Sequence, residues 1–134
     1  MITEIEAKDR IYKHLKNSAL MSVVTGGLYK TVRPDNSTKE DVVINVIDSD
    51  IAQTQTAYLS VWVYVADNKR QSGDTVYYEE NTKRLRTLTE LSIETLRYGF
   101  IEGRYEFKMI SQRIGTTQGE HVIQNRIRIK TANN

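Results

Sequence analysis

A chain of 134 residues, 39% hydrophobic and 27% charged, has the size and make-up of one globular domain, and such a domain buries roughly two-thirds of its unfolded surface. Nineteen basic against 17 acidic residues leave a formal charge of +2, too little by itself to announce a nucleic-acid or membrane partner. The absence of cysteine excludes a disulfide scaffold, a thiol nucleophile and every cysteine-liganded zinc site, and no apolar run is long enough to span a bilayer.

Met1 leads into the acidic Thr3-Glu4-Ile5-Glu6 without an apolar core, so no signal peptide is expected and a cytoplasmic product fits. Thr3-x-x-Glu6 is a capping-box pattern that starts a helix over 4–17. Ile5, Ile11, Tyr12, Leu15 and Ala19 fall within one arc of it, with Lys8 projecting into the arc and snorkelling outward. Gly26-Gly27 ends the turn that follows. Residues 28–32 read as a short strand stopped by Arg33-Pro34, the only proline, and 35–41 as a wholly polar, exposed loop. The β-branched run 42–47 suits a strand covered on both faces, and 48–56 is polar again.

The clearest strand is 57–66. Leu59, Val61, Val63 and Val65 face one way toward a core, while Tyr58, Ser60, Trp62 and Tyr64 face the other, an amphipathic surface suited to a covering layer or a partner. A second polar loop occupies 67–73. A second helix then starts at Asp74 or Thr75, with Glu79 and Glu80 in its early turns and an apolar stripe of Tyr77, Tyr78, Leu85, Leu88, Leu91 and Leu96. Ile93 lies off that stripe, and Gly99 is the expected stop. Residues 105–114 place Tyr105, Phe107 and Met109 on one side against Glu106, Lys108 and Gln112. After a turn at 115–119, residues 122–130 send Ile123, Ile127 and Ile129 inward and Gln124, Arg126, Arg128 and Lys130 outward. The expected fold is a single α+β domain over 1–134, order α-β-β-β-α-β-β, with a mainly antiparallel sheet flanked by two helices.

Chemistry is sparse. The two histidines, His14 and His121, lack a second ligand at metal-binding spacing and read as surface residues. Asp48-Ser49-Asp50 lacks the glycine and distal glutamate of a calcium loop. Glu79-Glu80 is explained by a helix dipole better than by paired acid–base catalysis. The seven glycines form no phosphate cradle, and no nucleophile elbow is present. Neither an enzyme nor a cofactor is expected.

Surfaces carry more. Arg126, Arg128 and Lys130 stand about 7 Å apart on one strand face, either as a charged outer face protecting an edge or as a stripe for DNA or an acidic partner. The loops 35–41 and 67–73 are long for connections, and in a domain without a catalytic constellation such loops often meet neighbouring subunits. Asp35, Lys39, Lys69 and Arg70 on those loops, with Tyr58, Trp62, Tyr64 and Ile93, are the candidate subunit interface.

The run Ile11-Tyr12-Lys13-His14-Leu15 through Val23-Val24, then Gly27-Leu28-Tyr29, Arg33-Pro34 and Val42-Val43-Ile44-Asn45-Val46, resembles the tail-completion (tail-terminator) proteins of tailed bacteriophages. Val61-Trp62-Val63-Tyr64-Val65, a long helix and a closing hairpin ending in Ile127-Arg128-Ile129 continue the match over nearly the whole chain. Seven polar residues separate Pro34 from the next strand, where members of that family run into it directly. The resemblance implies a virion subunit that forms a closed ring of six or twelve copies at the head–tail junction. It implies portal, connector and tail proteins as partners, no membrane, assembly in the host cytoplasm and DNA passing through the lumen, toward which Arg126, Arg128 and Lys130 would face. A small monomeric or dimeric nucleic-acid-binding domain using the same basic strand face is the alternative. Ring-sized particles in light scattering favour the first reading. Salt-dependent DNA binding that weakens on Arg126→Ala and Arg128→Ala, by a chain that stays small, favours the second.

Overall fold

A computed structural model describes residues 3–50, 56–117 and 119–131. The polar stretch expected at 48–56 lies mostly outside them, as do the side chains of the Asp48-Ser49-Asp50 triplet.

Helix α1 spans Glu4–Lys16, and the Thr3 hydroxyl caps it by accepting the Glu6 amide at 3.1 Å. Ala7, Ile11 and Leu15, spaced by four, are its buried line. Ile5, expected in the same arc, is 75% exposed: at about 100° per residue it lies far around the cylinder from that line. A short α2, Ala19–Val23, follows and keeps Leu20 in the core while Ala19 faces out. Strand β1, Leu28–Tyr29, is shorter than expected, and Val32 beyond it is exposed.

Strands β2 (Val42–Asp50) and β3 (Thr56–Ala66) pair antiparallel, and β1 adds to β2 in parallel. The expected cover on both faces of β2 holds for Val42, Val43 and Ile44 but fails at Ile47, which is exposed. Beyond β3 the chain departs most from expectation. The stretch read as a loop and a helix start is a hairpin, β4 (Asn68–Ser72) with β5 (Thr75–Glu79), closed by Gly73-Asp74 with Gly73 at φ +61°. A glycine first in a two-residue turn, ahead of the β-favouring Thr75-Val76-Tyr77-Tyr78, overrides helix-start signals. Tyr77 and Tyr78 are therefore exposed on the hairpin and not part of a helix stripe.

Helix α3 runs Thr82–Leu96, its N-cap Asn81 accepting the Arg84 amide, and buries Leu85, Leu88, Ser92 and Leu96. Glu79 and Glu80 precede it and do not occupy its first turn. It stops at Leu96, and Gly99 lies inside a further strand, β6 (Tyr98–Ile101), where the Phe107 ring covers it too closely for a Cβ. Strands β7 (Tyr105–Thr117) and β8 (Glu120–Thr131) complete the chain, with Gly115 inside β7 and a tighter turn than expected.

The sheet order is β1-β2-β3-β8-β7-β6, antiparallel except for β1 with β2, and the β4–β5 hairpin forms its own two-stranded sheet. Both long helices pack on one face, where Ile11, Leu15, Leu85, Leu88 and Leu96 join Ile44, Val61, Val63, Ile123 and Ile127 in a single core. The fold is α+β in two layers, with its helices on one side only.

A register shift between Met109 and Ser111 turns the end of β7 over. Gln112, expected outward, consequently points inward opposite Asn125, donates to its Oδ1 at 2.8 Å and reaches the Thr89 carbonyl at 3.2 Å. Asn125, fully buried, donates in turn to the Val61 carbonyl at 3.2 Å. Asn125→Ala strands Gln112 and that carbonyl in the core. The expected cost is about 1–3 kcal/mol, read as a lower urea midpoint with an unchanged slope.

Candidate functional site

The site begins at the start of β2. Glu40 and Asp41, expected in an exposed loop, are 8% and 1% exposed. Successive residues of an extended chain point to opposite faces. Glu40 points to the helix layer, where Arg84 of α3 grips it through two nitrogens, one at 2.8 Å. Asp41 points to the other face, where Arg33 donates to it at 2.9 Å.

Arg33 uses its whole fork. It also donates to Glu120 at 2.9 and 3.1 Å and to the carbonyls of Ser37 and Lys39 at 3.1 and 2.8 Å, and its carbon centre lies 4.0 Å from the centroid of the Tyr64 ring. The chain reaches this position by wrapping the sheet edge. Lys30 pairs with Asp9 of α1 at 2.7 Å and Lys8 reaches Thr31 at 3.4 Å, before Arg33 appears on the opposite face. Gly26 sits beneath the acids, where any Cβ would fall 2.2 Å from the Asp41 carboxylate and 2.7 Å from the Glu40 backbone.

The outer face beyond this knot carries no helix. Tyr58, Trp62 and Tyr64 lie on it half-buried, with Arg126 over Tyr58 at 5.9 Å. Arg126 is exposed, and Arg128 and Lys130 are half-exposed beside it. Lys130 pairs with Glu106 at 3.2 Å, and hydrogen bonds from Tyr98 and Lys130 hold the Glu106 carboxyl below the usual range. Lys108 and Arg113 of β7, which the sequence reading did not single out, join the same basic face, and their positions flank the bulge. In a shallow depression of about 190 Å³, Arg113 and Arg126 meet Ser60, Ser111, Gln124 and Ile47.

The other predicted interface residues fall elsewhere. Ile93 is exposed on the helix side, away from the aromatic strand. Asp35 and Lys39 are exposed on the loop that Arg33 pins down. Lys69 and Arg70 lie on the β4–β5 hairpin, where Arg70 pairs with Glu79 at 2.8 Å. Every residue from 69 to 80 is exposed, Tyr77 and Tyr78 at 44% and 55%. The hairpin is tied down at its base: His121 bonds Asp67 at 2.6 Å and lies 3.7 Å from Glu80, and the Asp67 amide donates to Gly119. A cleft of about 400 Å³ separates Tyr78 from the Asn36-Ser37-Thr38 loop.

The histidines are thus not free surface groups. His14 contacts the Thr95 carbonyl at 2.9 Å and packs on Phe107, while His121 anchors the hairpin. Among the described residues no group of three His, Asp or Glu is placed to hold a metal ion, and no helix is long and apolar enough to cross a membrane.

The fold is similar to that of a chain in the virion of a native gene transfer agent particle, with a TM-score of 0.57 and 14% identity over 92% of each chain. No protein-family model and no curated protein matches the sequence.

Removing Arg33 leaves Asp41 charged and buried, so Arg33→Ala is expected to cost about 3–5 kcal/mol in denaturant titration. Arg33→Lys does not restore it, because one ammonium cannot span Asp41 and Glu120 together. The Asp41 carboxyl is held below its ordinary value: burial pushes it up, but hydrogen bonds from Ser37, the Gly27 amide and Arg33 outweigh that. Folding therefore favours its ionised form. That stability is complete above the ordinary Asp value of about 4 and disappears as pH falls through Asp41's own lower pKa. The denaturation midpoint is expected to drop over this acid range, and to drop less in Asp41→Asn, which starts less stable.

Proposed function

We propose that the chain is a structural subunit of a phage-like virion, and that it assembles as a closed ring at the head–tail junction. The likeness of its fold, over nearly all of both chains, to a component of a gene transfer agent virion supports the virion reading. Its resemblance to tail-completion proteins supports the position in the neck, with portal or connector on one side and tail on the other and DNA passing through the lumen. The role is mechanical, with no reaction catalysed and no cofactor held.

One observation carries the assembly reading: the β4–β5 hairpin. A two-stranded ribbon alone is marginal in water, and this one shows Val76, Tyr77 and Tyr78 to solvent while held to the body only at its base. A neighbouring subunit is the natural cover. The sheet's far edge, where Tyr98 and Phe100 of β6 are exposed and in edge-to-face contact at 5.7 Å, offers a different apolar patch for it. Contact between two different patches is head-to-tail. Such contacts close into a ring when the rotation per subunit divides a full turn, as it does for six or twelve copies. The polar segment 35–41 lies beside the hairpin base across the cleft, placing Asp35 and Lys39 near the same joint.

Light scattering and negative-stain electron microscopy across a wide concentration range, alone and with tail-tube or connector proteins, test this. Ring-shaped particles are expected for the native chain. The variant carrying Val76→Ser, Tyr77→Ser and Tyr78→Ser is expected to keep its circular dichroism and melting temperature within a few degrees, while ring mass is lost. A native chain that stays monomeric throughout, with and without those partners, overturns the reading.

A further inference from the structure

The depression on the open sheet face has a composition that its own fold does not explain. Three strands build it through cross-strand neighbours: Ser60 of β3, Arg126 of β8 and Ser111 of β7 form one row, and Gln124 beside Arg113 forms the next. Neighbouring strands stand about 4.8 Å apart and same-face residues along a strand about 7 Å apart, so all five polar groups converge within about 10 Å. Two guanidinium groups, two hydroxyls and a carboxamide meet there, and no acidic side chain lines the space. Ser60, Ser111, Arg113 and Gln124 make no hydrogen bond or ion pair with the described residues, and Arg126 only overlies Tyr58. Elsewhere on this protein arginines are spoken for: Arg33 by two acids, Arg84 by Glu40, Arg70 by Glu79 and Arg10 by Glu102.

We infer that this depression binds a phosphate group of a nucleic-acid backbone. A tetrahedral oxyanion has acceptors for donors from several directions, whereas one guanidinium fork already saturates a carboxylate. Beyond the depression the cations continue in line along β8 through Arg128 to Lys130, with Lys108 opposite Arg128 on β7. A line of cations suits a repeating polyanion and not a lone ion. Tyr58 and Trp62 flank Ser60 on β3, giving ring faces beside the backbone track, an arrangement suited to single strands. The site needs only the open face, so it stands or falls separately from ring assembly. A monomer that binds DNA keeps this site and loses the ring, and a ring indifferent to DNA does the reverse.

Fluorescence anisotropy with a labelled single-stranded oligonucleotide, titrated over a range of salt, tests the assignment. Binding is expected at low salt and to weaken linearly on a log–log plot. Arg113→Ala with Arg126→Ala should lower affinity by about tenfold or more and flatten the slope by about one for each arginine removed. Ser60→Ala with Ser111→Ala keeps every charge, so it should weaken binding several-fold with the slope unchanged, which a diffuse charge effect would not produce. Arg86→Ala, on the exposed side of α3, should change neither. Melting temperatures of all variants should match the native chain, since the altered groups have no protein partner to lose. Inorganic phosphate should compete with the oligonucleotide, and polyglutamate of equal charge should not. Absence of binding at low salt, an unchanged slope in the double arginine variant, native affinity in the double serine variant, or polyglutamate competing as well as DNA overturns the inference, the last in favour of an acidic protein surface.

Discussion

Two adjacent acids at the mouth of β2 have to be buried on opposite sides of the sheet, and the rest of the molecule is arranged around neutralising them. An extended chain cannot send Glu40 and Asp41 the same way. Each therefore needs its own cation, since a buried carboxylate without a partner is among the most costly groups a small domain can contain. Arg84 comes from the helix layer and Arg33 from the segment that wraps the edge. Meeting that demand fixes the first turn of α3 against the start of β2, pins the polar segment 35–41 through its carbonyls, and ties β8 to the same knot through Glu120. Three regions distant in sequence are locked by charge where hydrocarbon packing alone would leave them loose.

The second organising fact is asymmetry. Placing both long helices on one face lets the core close around a single layer of aliphatic side chains and leaves the opposite face to hold aromatic rings and cations in water. Half-buried tyrosine and tryptophan tolerate this because each has an apolar body and a polar tip. Arginine stems lying across those rings hide part of the hydrocarbon without needing a cover. The surface stays soluble and still keeps exposed charge.

Much of this was readable from the chain alone. Strict alternation gave β3 and β8 and both of their faces, and the capping threonine with residues spaced by four gave α1. What escaped detection had competing signals. Asp74, Thr75 and the following glutamates imitate a helix start, and only the two-residue Gly73-Asp74 spacing between β-favouring runs betrays the hairpin. The bulge near Ile110 leaves no mark in composition, so the inward turn of Gln112 was invisible. Glu40 and Asp41 look like ordinary loop residues because burial of a charge is decided by partners that lie 44 and 8 positions away. The basic row on β8 was plain, but its companions on β7 became neighbours only through pairing.

The amide pair at the centre of the core acts as a key for the exterior. If β7 slid by one position against β8, Asn125 would face hydrocarbon and Gln112 would be turned out to solvent, and the penalty of an unpaired carboxamide in that environment forbids the slip. The same alignment decides which side chains stand shoulder to shoulder on the far side, so Arg113 lies next to Gln124, and Ser111 next to Arg126, because of a contact neither of them touches. A polar lock hidden inside the molecule thereby writes the pattern displayed outside.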